Sequence, residues 1–373
     1  MTYLVRVKKL EKRRLGKSKL YIFPIGLGCR KLGYKSKNIE EAITIVQKAI
    51  KLGINFIDTA NIYQNGKSEE IIGQAIQDIR KQVILATKGS IVKTVEGLPT
   101  QDLSPESLKK AVEESLKRLN TDYIDLYQIH YPDPMTPFKD TLKVLKEFLE
   151  TGTIKYVGLS NFSYKELKEW TELMEVPTIQ IPYNFLQQKL YRKLLPFCQS
   201  KQISMIIYTP LLMGLLTEKI MKNTKFSKND ERLIVPPPIL KECQKIIKQL
   251  KPIAAKHNKT VTQLILNWLM NRPNIGCVLV GVSNIKQVME NVKAAKWNMP
   301  AETQKMIEDI IKNVKVSLDE QFFIQTVKKT SCNYSGKNVA TLEMGMKIIV
   351  PSEVKAGDKI KISWNGEFLG IVS

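Results

Sequence analysis

Short apolar runs alternate with longer amphipathic stretches along most of the chain. Runs dense in Ile, Val, Leu, Phe and Tyr fall at 21–28, 54–58, 83–87, 124–129, 154–159, 178–181, 204–208 and 277–280. Most are continuous rather than alternating, the pattern of strands covered on both faces. Between them, apolar positions recur at helical spacing over 39–52, 68–80, 105–119, 137–150 and 164–174. Ser104-Pro105-Glu106 places Ser at an N-cap and Pro at the first helical position. Gly53 and Gly152 follow helical stretches and suit C-terminal caps. Strand–helix alternation predicts parallel strands joined by helical crossovers, and eight strands predict a closed (β/α)8 TIM barrel. Residues 14–18 before the first strand read as a small hairpin over the barrel bottom. A long loop over 211–240, with Pro236-Pro237-Pro238 near its end, belongs on the opposite, loop-bearing face.

The pattern changes after about Lys315. Helical periodicity is lost, and short β-like runs fall at 339–342, 346–350, 359–364 and 367–372. Gly357-Asp358 and Asn365-Gly366 are turn signals, the second a strong hairpin marker. The expected division is a barrel over 1–315, a linker over 316–326 and a small all-β domain over 327–373. The last is roughly fifty residues, near the lower limit of a self-supporting core. It is expected to be an independent module with modest contacts to the barrel.

The 373 residues are enough for one large barrel plus a small domain, and no apolar run reaches the ~18 residues of a membrane helix. The basic first ten residues lack an apolar signal core, so a cytoplasmic location is the expectation. Net charge is +22. Lysines far outnumber arginines and are scattered, which reads as solvated helix faces rather than a nucleic-acid surface. The five cysteines are far apart with no C-x-x-C, which argues against a disulfide framework or a metal site.

Three strands end in chemistry-bearing residues. Asn55-Phe56-Ile57-Asp58-Thr59-Ala60-Asn61-Ile62-Tyr63 delivers a carboxylate and a phenol, the next strand delivers Lys88, and the one after delivers His130. Together they form a proton-donating set. Reduction of a carbonyl leaves an alkoxide that needs a proton. A free phenol, with a pKa of about 10, is a reluctant donor at neutral pH. A nearby ammonium pulls that pKa down, a carboxylate holds the ammonium, and an imidazole orients the carbonyl oxygen. Tyr63, Lys88, Asp58 and His130 fill these roles in that order. Each alone reads more simply as a cap or a packed polar group; four at consecutive strand ends read as catalytic.

This pattern resembles the aldo-keto reductases, and the resemblance runs from about residue 12 to 315. It implies an NADPH-dependent enzyme that reduces aldehydes or ketones to alcohols by direct hydride transfer. Gly26-Leu27-Gly28 is not a Rossmann fingerprint, since Lys31 stands where a third glycine belongs. The resemblance instead implies a rim site. Gly158-Leu159-Ser160-Asn161-Phe162 matches a family motif. Ser160, Asn161 and Gln180 would then hold the nicotinamide carboxamide, and Tyr208 would stack on the ring. Pro210, Leu211 and Gly214 belong to a stretch resembling the pyrophosphate loop, although Glu218 stands where a glycine is usual. Gly281, Ser283, Gln287, Glu290 and Asn291 resemble the adenosine end, with Ser283 and Gln287 at the 2′-phosphate. Read without the resemblance, the same segment is a capped helix with Ser283 as N-cap.

The stretch Ala340–Pro351 and Gly357-Asp358-Lys359-Ile360-Lys361-Ile362 resemble the last, OB-like domain of bacterial elongation factor P. Phe368 stands where Tyr is usual, and the domain carrying that factor's modified lysine is absent. Nucleic-acid or ribosome contact through this tail is therefore a minor alternative. A redox-sensing regulatory subunit, like the β subunits of potassium channels that share the barrel, is the other.

Overall fold

The computed structural model describes residues 11–33, 38–219, 226, 228, 230–363 and 366–372. Eight parallel strands close into a barrel: β1 (Ile25–Gly28), β2 (Phe56–Asp58), β3 (Ile84–Gly89), β4 (Ile124–Ile129), β5 (Ile154–Ser160), β6 (Thr178–Pro182), β7 (Ser204–Tyr208) and β8 (Ile275–Val280). They follow chain order around the ring, and β8 pairs with β1 to close it. Among the described residues the α-helices are α1 (Ile39–Lys51), α2 (Lys67–Ile76), α3 (Pro105–Leu119), α4 (Phe138–Glu150), α5 (Tyr164–Leu173), α6 (Lys189–Lys201), α7 (Pro237–Lys256), α8 (Val261–Met270), α9 (Ile285–Ala295) and α10 (Ala301–Lys312). The expected TIM barrel is present. Among the described residues, no helix is long and apolar enough to cross a membrane.

Each strand sends alternate side chains inward and outward. Outward residues such as Ile57, Leu85, Tyr127, Ile129, Ile179 and Ile207 join the helices in the main core. Inward residues Phe56, Ala86, Leu126, Ile206, Cys277 and Leu279 form a second cluster inside the barrel. Arg13–Arg14 pairs with Tyr21–Ile22, and this hairpin drops Leu15, Leu20 and Ile22 into the inner cluster, plugging the bottom as expected.

Several boundaries differ from the sequence reading. The run at 21–28 is two strands, because Pro24 lacks the N–H that a continuous ladder needs. The stretch 68–80 leaves α-geometry after Ile76 and continues as a 3₁₀ turn. The long loop after β7 ends at Pro236, since Pro237 and Pro238 already occupy the first helical positions of α7. Ser104 sits at the N-cap of α3, but its side chain makes no capping bond. Gly53 and Gly152 take the left-handed conformation after their helices, as read.

The C-terminal unit is an antiparallel five-stranded sheet: β9 (Phe322–Cys332), β10 (Asn338–Leu342), β11 (Lys347–Ile349), β12 (Lys359–Ser363) and β13 (Phe368–Ile371), in spatial order β11-β10-β9-β12-β13. Its own core is Val327, Ala340, Leu342, Val350, Val354, Ile360 and Ile362. Trp364 and Asn365, from the expected Asn-Gly turn, lie outside the described residues, as do residues 1–10; Gly366 is left-handed. The sequence reading had no counterpart for β9, which takes in the last five residues of the expected linker.

The rest of that linker is docked rather than free. Leu318 is fully buried, and its N–H donates to the Leu186 carbonyl at 2.7 Å. The Asp319 carboxylate accepts from the N–H groups of Gln188 and Lys189 at 2.7 and 2.8 Å. Gln188, the N-cap of α6, makes no side-chain cap of its own, so Asp319 caps the helix from 130 residues away. Asp319→Ala is expected to lower stability by about 1 kcal/mol, the usual weight of an N-cap. Urea unfolding of the full chain checks this, and an unchanged midpoint would leave the cap without energetic weight.

Candidate active site

The two-residue period of the strands builds the site directly above the inner apolar cluster. Asp58 follows Phe56 on β2, Lys88 follows Ala86 on β3, and Gln128 and then His130 follow Leu126 on β4 and its exit. Each lies two residues beyond an inward-facing neighbour, so each points inward and higher. Register places Asp58 level with Ala86, and Lys88 level with Gln128.

Lys88 is fully buried. Its ammonium donates to Asp58 Oδ1 at 2.5 Å, to the Thr59 carbonyl at 2.8 Å and to the Tyr63 hydroxyl at 3.5 Å. These are three acceptors for three N–H groups, so the charge is held with no donor left over. The other oxygen of Asp58 accepts from Gln128 Nε2 at 3.0 Å and Gln180 Nε2 at 2.8 Å. Burial alone would lower the pKa of Lys88; the charge of Asp58 and the contact with Tyr63 outweigh it and hold the ammonium above its ordinary value.

Tyr63 opens a 3₁₀ turn whose next three residues, Gln64, Asn65 and Gly66, all have positive φ. Such a run is costly for non-glycine residues and is characteristic of functional turns. Gln64 ties the turn to the Leu32 and Arg30 carbonyls. The ring of His130 meets that of Tyr63 edge-on at 5.8 Å. Burial raises the Tyr63 phenol, and Lys88 pulls against it without reversing it. The sequence reading expected the ammonium to set the direction; burial does instead. Burial also holds His130 well below its ordinary range, with Lys88 and Arg30 pushing the same way. The imidazole is therefore neutral at physiological pH. Among the described residues its Nδ1 is buried without a partner, as is Asn61 Oδ1. The site thus gathers a protonated phenol, a paired ammonium and a neutral imidazole with hydrogen-bonding capacity to spare.

Of the residues expected at the cofactor, Ser160 and Asn161 stand at the end of β5 and Tyr208 at the end of β7. The Asn161 amide donates to the His130 carbonyl at 2.9 Å and to Ser160 Oγ at 3.1 Å, and its oxygen accepts the Tyr208 hydroxyl at 2.6 Å. Gln180 reaches toward Asp58 within the Lys88–Asp58 cluster rather than standing apart at the rim. Thr209, Leu212, Met213 and Gly214 all have positive φ, so the loop containing Pro210 and Leu211 is sharply curled. Gly28 and Gly281 bring bare backbone together: a Cβ on Gly281 would lie 3.6 Å from the Gly28 carbonyl oxygen.

The adenosine-end residues divide. Ser283 is not the N-cap of α9: that position is Asn284, whose side chain accepts from the Gln287 N–H at 3.0 Å. Gln287 reaches back to the Ser283 N–H at 2.7 Å. Glu290 accepts the Thr260 hydroxyl at 2.6 Å, and Asn291 is buried. The sequence reading missed Gln128, whose signal was an amide at an inward position of the strand, two residues before His130. It also missed Ser90, a non-glycine with φ of 101° just past Lys88, whose hydroxyl accepts from the Tyr131 N–H at 3.0 Å.

The aldo/keto reductase family model matches residues 24–312. The chain belongs to the aldo/keto reductase family. It is 35% identical to the aldo-keto reductase YhdN of Bacillus subtilis over 298 residues, covering 78% of this chain and 90% of that protein. It is 31% identical to the NADH-specific methylglyoxal reductase of Escherichia coli over 309 residues, covering 78% and 95%. The glycerol dehydrogenase AKR11B4 of Gluconobacter oxydans superposes with a TM-score of 0.77 at 28% identity, covering 84% of this reductase and 99% of that chain. The protein is therefore an oxidoreductase. Its family match ends with α10, before the β domain begins.

A neutral, buried His130 has a direct readout. Its imidazole C–H resonances are expected to stay fixed between about pH 5.5 and 7.5, around the ordinary midpoint of about 6.5. The linkage runs downward: below about pH 6.5 the unfolded chain takes up a proton that folded His130 refuses, so this residue costs stability as pH falls. NMR titration against a His130→Asn control checks the first statement. A His130 midpoint near 6.5 would contradict its burial.

Proposed function

We propose that this reductase converts aldehydes or ketones to alcohols, using NADPH, with Tyr63 as the proton donor. The observation that carries the reading is the Lys88 ammonium, fully buried and bonded at once to Asp58, the Thr59 carbonyl and the Tyr63 hydroxyl. A buried, paired charge this close to a phenol has little structural use, because an apolar pair would fill the space at no desolvation cost.

The rim suits a dinucleotide. Gly28 and Gly281 leave backbone open to close approach, the curled 209–214 loop faces the same mouth, and the capped start of α9 offers a helix N-terminus to a phosphate. Tyr208, Ser160 and Asn161 would hold the nicotinamide, Pro210, Leu211 and Gly214 the pyrophosphate, and Ser283 and Gln287 the 2′-phosphate. Glu290 and Asn291 would meet the adenine, with one Glu290 oxygen already taken by the Thr260 hydroxyl and Asn291 buried. NADPH supplies the hydride when bound. The protein's part is to orient the carbonyl oxygen with His130 and to pass it the Tyr63 proton. Lys88 then steadies the phenolate left behind. The lysine's counter-pull on a phenol raised by burial makes that step possible near neutral pH.

The division into a barrel over 1–315 and a β domain remains the working description, with the second unit taken from Phe322. The likeness of that unit to the last domain of elongation factor P rests on its residues alone, and no translation role is attached to it.

Tyr63→Phe keeps the ring and removes the proton. Carbonyl reduction is expected to fall by at least ~10²-fold with NADPH affinity kept. NADPH oxidation against a panel of aldehydes measures it, and wild-type turnover in the variant would remove Tyr63 from the chemistry. Fluorescence titration is expected to show tighter binding of NADPH than of NADH. Equal affinities would withdraw Ser283 and Gln287 from the 2′-phosphate, and binding of neither would defeat the whole rim assignment.

A further inference from the structure

The β domain meets the barrel at the rim of β3 and β4. A rim hairpin, Ile91–Lys93 paired with Pro99–Gln101, follows β3 just beyond Lys88. The segment 131–136 follows His130. Gln101 and Lys347, the first residue of β11, form a closed set. The Lys347 N–H donates to Gln101 Oε1 at 2.8 Å, Gln101 Nε2 donates to the Lys347 carbonyl at 3.0 Å, and Lys347 Nζ donates to the Gln101 carbonyl at 2.8 Å. The Gln101 side chain thus pairs with β11 as another strand's backbone would. Next to it the contact is tight: Gly345 has φ of 90°, and a Cβ there would lie 2.4 Å from the Pro99 carbonyl oxygen. On the second loop, Asn333 Nδ2 donates to the Pro134 carbonyl at 2.8 Å.

Both loops lead straight to the reacting groups. Buried Asp133 joins them by accepting from the Leu103 N–H at 3.1 Å and the Thr136 hydroxyl at 2.6 Å. Ser90 joins them again, its hydroxyl on the Tyr131 N–H and its carbonyl on the Asp102 N–H. The Tyr131 ring lies 5.3 Å from that of His130. These rim contacts are not what folds the β domain, whose core contains no barrel residue.

We infer that the β domain holds the two substrate-side rim loops in place, with Gln101 and Lys347 as positioning residues that set which carbonyl compounds fit the mouth. The inference rests on the carbonyl-reductase reading and assigns its site a specificity device from outside the family match. In the eight-stranded ring, β3 and β4 stand across from β7 and β8, where the cofactor residues lie. Loosening the β-domain contact therefore disturbs substrate fit and leaves the cofactor side alone. This separates the inference from a general structural role.

The test uses the full chain carrying Gln101→Ala and Lys347→Met, with NADPH and two probes, propanal and benzaldehyde. KM for the bulkier benzaldehyde is expected to rise about tenfold and that for propanal much less, with kcat and NADPH affinity kept. Amide exchange over 91–101 and 131–136 is expected to quicken. Asn333→Ala, which leaves the Gln101 pair intact, is a milder second variant expected to move both readouts the same way. Equal changes for both aldehydes, a matching loss of NADPH affinity, or unchanged exchange in the loops would each overturn the inference. If the wild type oxidises NADPH with neither probe, these two aldehydes drop out as substrates, and loop exchange alone decides whether the β domain holds the rim.

Discussion

The buried pair of Lys88 and Asp58 is the constraint around which the upper barrel is arranged. Burying two charges is expensive, and their mutual attraction offsets the cost only when the remaining hydrogen-bonding capacity is also satisfied. Here it is: three acceptors surround the ammonium, and two glutamine amides take the second carboxylate oxygen. This need explains the inner layering of the barrel. A lower layer of Phe56, Ala86, Leu126, Ile206 and Cys277 is purely apolar, sealed from below by Leu15 and Ile22. One pleat higher, Asp58, Lys88, Gln128 and Gln180 form a polar layer that meets its own demands. Remove one member and another is left with a buried, unanswered group.

Burial then sets the proton chemistry more than charge does. Desolvation raises Tyr63 and Tyr208 and lowers His130, so all three are neutral near pH 7. A donor must hold its proton until the transition state, and a hydrogen-bonding imidazole must not carry a positive charge beside an ammonium. The Lys88 pull on Tyr63 is a counterweight that leaves the phenol protonated at rest. In the proposed chemistry it would also favour the phenolate that donation leaves.

The barrel was legible because continuous apolar runs and amphipathic helices are local patterns. That Asp58, Tyr63, Lys88 and His130 share one site was legible because each is a polar residue just past such a run. What escaped was set by distant partners. Gln128 looked like one polar residue in a buried strand until register placed it beside Lys88. Asn284 rather than Ser283 caps α9, and no composition rule separates two adjacent cap formers. Glu290 looked open to a ligand until α8 brought Thr260 against it. Asp319 looked like linker, yet it completes a helix far back in the chain. The contact between the tail and the rim escaped for the same reason: nothing local in Gln101 or Lys347 announces that they meet.

The placement of that tail follows from what a barrel rim permits. Strands are fixed by the closed ladder, so their ends cannot move independently, whereas each loop above them is free to be shaped by whatever packs on it. A domain docked over β3 and β4 touches the loops beyond Lys88 and His130 without touching the residues themselves, whose positions the ladder and the buried ion pair already determine. The groups proposed to react and the proposed substrate boundary are therefore held by different forces. The first depends on a desolvated charge pair inside the barrel, and the second on hydrogen bonds between exposed-face loops and an added sheet. A change at the second contact can reshape the mouth while the first stays intact, because among the described residues no hydrogen bond of the Lys88 cluster involves the β domain.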